Sequence, residues 1–112
     1  MIRPFALAAI LGAATMPAAA TANDFPTDAR VDYVIGCMAA NGQSQDAMRR
    51  CSCSVDAVAS ILPYAIYERA DTVLRMRSMG GETAALFRDV QGLRNVVDRL
   101  RAAQVEADFR CF

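Results

Sequence analysis

Four cysteines, Cys37, Cys51, Cys53 and Cys111, set the terms on which this chain folds. An even number of cysteines in a small exported chain is the composition in which disulfides compensate for a core too small to hold a fold alone. Four cysteines allow three pairings. A direct Cys51–Cys53 bond is the least favoured, because residues two apart on a helix point about 200° apart. The same divergence lets the Cys-Ser-Cys unit reach in two directions. The expected pairing is Cys37–Cys51 across a short turn and Cys53–Cys111 from the second helix to the C-terminus. On the chain-entropy model the first loop contributes roughly 3 kcal/mol and the longer second loop roughly 4 kcal/mol. Spacing alone leaves the swapped pairing, Cys37–Cys53 with Cys51–Cys111, open.

Export is read from the N-terminus. Residues 1–22 carry one early cation, Arg3, then an apolar run from Phe5 to Met16, then small residues. Ala20-Thr21-Ala22 fits the small-x-small rule for cleavage before Asn23. The apolar run is short of the 18 or more residues that span a bilayer. The expectation is a cleaved signal peptide, residues 1–22, and a single soluble periplasmic domain, residues 23–112, with no membrane attachment after cleavage. A domain of about 90 residues buries only some 60–65% of the surface its unfolded chain exposes.

The periodicity of the mature chain is helical, with few alternating runs and few β-branched residues. Thr27 is placed to cap a first helix in which Val31, Val34, Ile35 and Met38 share one face, and Asn41-Gly42 stops it. Ser44 caps a second, with Met48, Cys51, Val55, Val58 and Leu62 in one stripe ended by Pro63. A third runs from about Tyr64 to Met79, burying Ile66, Ala70, Val73 and Leu74, and Gly80-Gly81 breaks it. A short piece covers Glu82 to Arg88. A last helix runs from about Asp89 towards the terminus, with Leu93, Val97, Leu100, Ala107 and Cys111 on one side. Phe109-Arg110-Cys111-Phe112 reads as a packed-down end, because a frayed tail does not hold a disulfide. The expected fold is all-α, a compact bundle of four to five short helices stapled by two disulfides.

Composition excludes several chemistries. The chain has no histidine, and its twelve cationic side chains are all arginine, against twelve Asp and Glu. Histidine triads, His–metal ligation and Schiff-base catalysis therefore have no residues to use. A zero net charge argues against a nucleic-acid footprint. A redox reading of Cys-Ser-Cys lacks a surrounding βαβ pattern, and a four-cysteine zinc site lacks the usual spacers. Catalytic carboxylate pairs have no evident cleft in so small a chain, so no enzyme is expected. Oxygen donors are left. Asp24, Asp28 and Asp32 fall four apart at the start of the first helix, and Glu68 and Asp71 fall three apart on the third. Such a set can seed a site for a hard cation, calcium or a lanthanide. The simpler reading is a solvated acidic face.

The stretch Cys37-Met38, Asn41-Gly42, Cys51-Ser52-Cys53-Ser54, Leu62-Pro63-Tyr64, with Phe87-Arg88-Asp89 and the Arg110-Cys111-Phe112 end, resembles a family of small exported four-cysteine helical proteins. In proteobacteria its members lie beside genes for pyrroloquinoline-quinone (PQQ)-dependent alcohol dehydrogenases. The resemblance covers nearly the whole mature chain, and its motifs are structural rather than catalytic. Those dehydrogenases use calcium or a lanthanide with their quinone. The resemblance therefore implies a non-enzymatic periplasmic accessory protein that contacts such an enzyme or handles its metal. Two other classes share the architecture: immunity proteins against secreted toxins and periplasmic stress chaperones.

Overall fold

A computed structural model of the chain describes residues 23–88 and 90–112. The expected signal peptide and the expected helix start at Asp89 lie outside these residues. Five helices are described: α1 (Thr27–Asn41), α2 (Gln45–Ile61), α3 (Tyr64–Ser78), α4 (Gly81–Leu86) and α5 (Gln91–Cys111). The expected all-α bundle is the observed fold, and no strand occurs among the described residues. None of these helices is long and apolar enough to cross a membrane.

Local signals place the boundaries. The Ser44 hydroxyl accepts the Ala47 N–H at 3.0 Å and caps α2. Pro63 ends α2, because the residue before a proline is driven to extended backbone, and Leu62 has ψ 136°. Gly80 and Gly81 both adopt φ +76°, a conformation that admits glycine at little cost and separates α3 from α4. Thr27 does not cap α1. It is the first helical residue, and Pro26 holds the cap position with no side-chain bond. The last helix begins at Gln91, with Val90 before it.

The long helices α2 and α5 pack on each other at the centre, with α1 against α2, and α3 against α5. Val55 and Val58 of α2 meet Val97, Leu100 and Ala103 of α5 in the core, all fully buried. Each large aliphatic side chain buried there contributes about 1.5–3 kcal/mol. Both expected disulfides are formed, Cys37–Cys51 and Cys53–Cys111, each with Cα atoms 5.7 Å apart, and no described cysteine is free.

Phe25, in the extended segment before α1, is buried against the rings of Tyr67 at 4.8 Å and Tyr64 at 5.3 Å. That segment is tied down at both sides. The Asn23 N–H donates to the Ala59 carbonyl at 3.1 Å, and Arg30 pairs with Asp56 at 2.6 Å.

Three packing expectations need correction. The stripe Val31, Val34, Ile35, Met38 is not the buried face of α1, which contains no fully buried residue. Val31 is 52% and Ile35 63% exposed. Cys37 lies about 110° around the helix from the centre of that stripe. Its bond to Cys51 and the inward position of Tyr33 turn Val31 and Ile35 away from the core, while Val34 still packs against it. Met48 is likewise half open at the end of an otherwise buried α2 stripe. At the C-terminus Cys111 is half-buried and the helix runs to it, but Phe109 is 84% exposed, so the end is anchored without being packed down.

Candidate functional site

Because α1 lies on α2 and α3 lies on α5, the two outer helices leave an open groove between them. Its volume is about 580 Å³, within the range of small-molecule sites. The expectation that so small a domain has no cleft is thus corrected. Tyr67, Ser54 and Leu100, all buried, form the floor. The Tyr33 and Ser54 hydroxyls share a hydrogen bond of 2.9 Å. The partner of Ser54 is a phenol rather than a base, so the pair does not supply an activated nucleophile.

Arg75 bridges the two walls. Its Nε donates to Asp71 Oδ2 at 2.8 Å, one turn back on α3, and its Nη2 to Asp32 Oδ2 at 2.6 Å on α1. The hydrogen bond to Asp71, with the charges of Asp71 and Asp32, holds the guanidinium still more firmly protonated than usual. These side chains are mostly open to water, so each pair contributes about 0–1 kcal/mol and orients the rim more than it stabilises the fold. Burial raises the Tyr67 hydroxyl well above its ordinary value, and the nearby charges of Asp71 and Asp32 raise it further. It stays neutral at any physiological pH.

Four of the five candidate metal ligands come together. Asp28, Asp32, Glu68 and Asp71 line one recess that continues from the groove past Tyr64 and Tyr67. Asp24 stands apart, since its Oδ1 accepts the backbone N–H of Tyr64 at 2.9 Å. The oxygen donors suit a hard cation by chemistry. Their placement is another matter: Arg75 engages Asp32 and Asp71, and among the described residues no three carboxylates or cysteines are grouped to hold one ion. They line a recess rather than surround a point.

A second surface lies between α1 and α2. Val31, Val34, Ile35, Met38 and Met48 line an apolar trough above Val55, rimmed by the Arg30–Asp56 pair. A smaller apolar face is formed at the end of α5 by Val105, Phe109 and Phe112. Tyr33, Ser54, Arg75 and Asp108 line the groove without having been singled out in the sequence as site residues. The groove depends on how α1 and α3 straddle the central pair, for which no local signal exists. The chain matches no family model, no curated protein and no solved structure, so these surfaces carry the functional argument.

Proposed function

We propose that this is a non-enzymatic periplasmic accessory protein that works by contact with another exported protein, a PQQ-dependent alcohol dehydrogenase, through the open apolar face of α1. The observation that carries the reading is the exposure of Val31 and Ile35 on a helix pinned to its neighbour by Cys37–Cys51. Contiguous apolar surface on a small rigid domain marks an interaction site, and rigidity limits the ordering cost of docking. The enzyme as partner rests on the family resemblance. Pull-down from periplasm with wild type and Ile35→Asp tests the reading. Capture of a quinoprotein dehydrogenase, lost in the variant, is expected. Capture of a secreted toxin instead moves the assignment to an immunity protein. Apolar dye binding that appears only in acid moves it to a stress chaperone.

Handling of the enzyme's metal is the second reading, favoured by the convergence of Asp28, Asp32, Glu68 and Asp71 on one recess. Calcium or a lanthanide has to draw Asp32 and Asp71 away from Arg75. Calorimetric titration with calcium and with lanthanum, on wild type and on Asp28→Asn/Asp32→Asn, tests it. Absent binding, or binding untouched by the double substitution, removes this reading and leaves the contact reading standing.

A further inference from the structure

The end of α2 and the segment before α1 meet at one backbone bond. The Ala59 carbonyl, in the last turn of α2, has no donor within its own helix, because the residue four places on is Pro63, which lacks an N–H. Ala59 is 1% exposed, and a carbonyl left unbonded there is costly. Asn23 supplies the missing donor, its nitrogen 3.1 Å from the oxygen.

That nitrogen is the one a cut before Asn23 sets free. We infer that this cut completes the fold: the ammonium it creates takes over from the amide N–H as the donor to Ala59 and lies at the negative end of α2. The inference rests on reading residues 1–22 as a signal peptide cleaved at that bond, and does not depend on which partner the α1 face contacts. Hydrolysis of the Ala22–Asn23 bond consumes one water. The water oxygen stays on Ala22 as part of a carboxylate, and the Asn23 nitrogen leaves as an ammonium.

Charge favours the exchange. The last carbonyls of a helix carry the negative end of its dipole, and an ionised donor bonds them more strongly than an amide does. The last turn of α2 has no basic side chain of its own. Arg30 of α1 donates from Nη2 to the Asn23 carbonyl at 3.4 Å, and Asp56 of α2 neutralises it at 2.6 Å. Arg30 thus holds the terminus in place while its own charge is met.

Backbone geometry points the same way. Among the described residues Asn23 is the one non-glycine with positive φ, at +65°. That left-handed conformation is unfavourable for a residue with a side chain, although asparagine tolerates it better than most. The torsion exists only while residue 22 is joined to Asn23, so the cut removes the restraint. The other side stays anchored, by Phe25 in the core and by Asp24 on the Tyr64 nitrogen.

The chain contains no lysine, so the α-amino group is the only amine of the mature protein and acetylation gives a single product. The test is thermal melting at pH 6 of three forms: the chain starting at Asn23, its acetylated product, and a chain starting at Asp24. The Asn23 form is expected to melt highest. The acetylated form keeps the N–H without the charge and is expected about 2–6 °C lower. The Asp24 form lacks the nitrogen and is expected about 5–10 °C lower. Acylation by an amine-reactive ester is expected to be several times slower in the folded protein than in urea. Coincident melts, or acylation equally fast in both states, overturn the bond to Ala59. Intact mass of the exported protein checks the premise separately, and a start other than Asn23 overturns it. All three forms keep every residue from Asp24 onward, so none of them removes part of the core.

Discussion

Asp24 caps α3 from forty residues away, its Oδ1 2.9 Å from the Tyr64 nitrogen. The first turn of α3 carries no acidic side chain of its own, and Pro63 at its cap position has none to offer the backbone. A residue that precedes one helix thus satisfies the start of another, and fixes the entering chain across the end of the bundle. Asp24→Ala is expected to destabilise the domain by about 1 kcal/mol. In a domain of this size that lowers the melting temperature by roughly 4–8 °C. Asp24→Asn, which keeps an acceptor oxygen, is expected to retain most of the stability. Thermal melts followed by circular dichroism check both.

The two disulfides are expected to contribute unequally. Cys37–Cys51 closes a separation of 14 residues and Cys53–Cys111 one of 58. Urea denaturation of Cys37→Ser/Cys51→Ser should show a loss of about 3 kcal/mol, and Cys53→Ser/Cys111→Ser a loss of about 4 kcal/mol. The order of the two losses follows from the loop-entropy argument that both share.

Tyr67 makes stability depend on alkaline pH. Its folded-state value is raised above the ordinary 10.0, first by burial and then by Asp71 and Asp32. The stabilisation is therefore fully present below about pH 10 and is lost as pH rises beyond it, because the unfolded chain releases its proton first. Ultraviolet titration should show Tyr67 ionising last of the tyrosines of the mature domain, after Tyr64, which burial and the charge of Glu68 also raise. In Tyr67→Phe that delayed fraction should be gone, and the fall of stability above pH 10 should be shallower.

Core and surface aliphatics should separate cleanly. Leu100 is 2% exposed, so Leu100→Ala is expected to cost about 2–5 kcal/mol. Ile35 is 63% exposed, and Ile35→Ala is expected to stay within about 0.5 kcal/mol of wild type. A large loss at Ile35 in the isolated protein would mean that its face is already occupied, for instance by a second copy. Chemical denaturation at two protein concentrations distinguishes these cases.

What was legible in the sequence followed from local rules. The caps and breakers at Ser44, Pro63 and Gly80-Gly81 gave the helix boundaries nearly to the residue, because each acts within a few positions of itself. That Cys51 and Cys53 take separate partners was legible because residues two apart on a helix point to different sides, whereas spacing left the choice between Cys37 and Cys111 for each of them open. Phe25 was not legible: it is a major core ring in an extended segment, where helical periodicity has no purchase. The apolar stripe of α1 misled for a related reason. Periodicity shows that Val31 and Ile35 share a face with Val34 and Met38, but the bond at Cys37 decides which way that face turns. Four of the acidic candidates did converge, yet the arginine that sits among them comes from one helix and reaches the other, a relation no spacing encodes.

Both crosslinks meet at Cys51 and Cys53 in the middle of α2, and this gives the molecule an unusual response to tension. A pull between Asn23 and the C-terminus travels along residues 23–37, crosses to 51–53, and crosses again to 111–112. The two long stretches bridged by the sulfur atoms carry no load. Only about 20 residues can be drawn out, roughly 70 Å of contour at most. The helix α3 and all of α5 before Cys111 are mechanically shielded, and α2 bears the load only over residues 51–53. Once oxidised, the protein can lose α1 from its side under force and still keep α2, α3 and α5 in one piece.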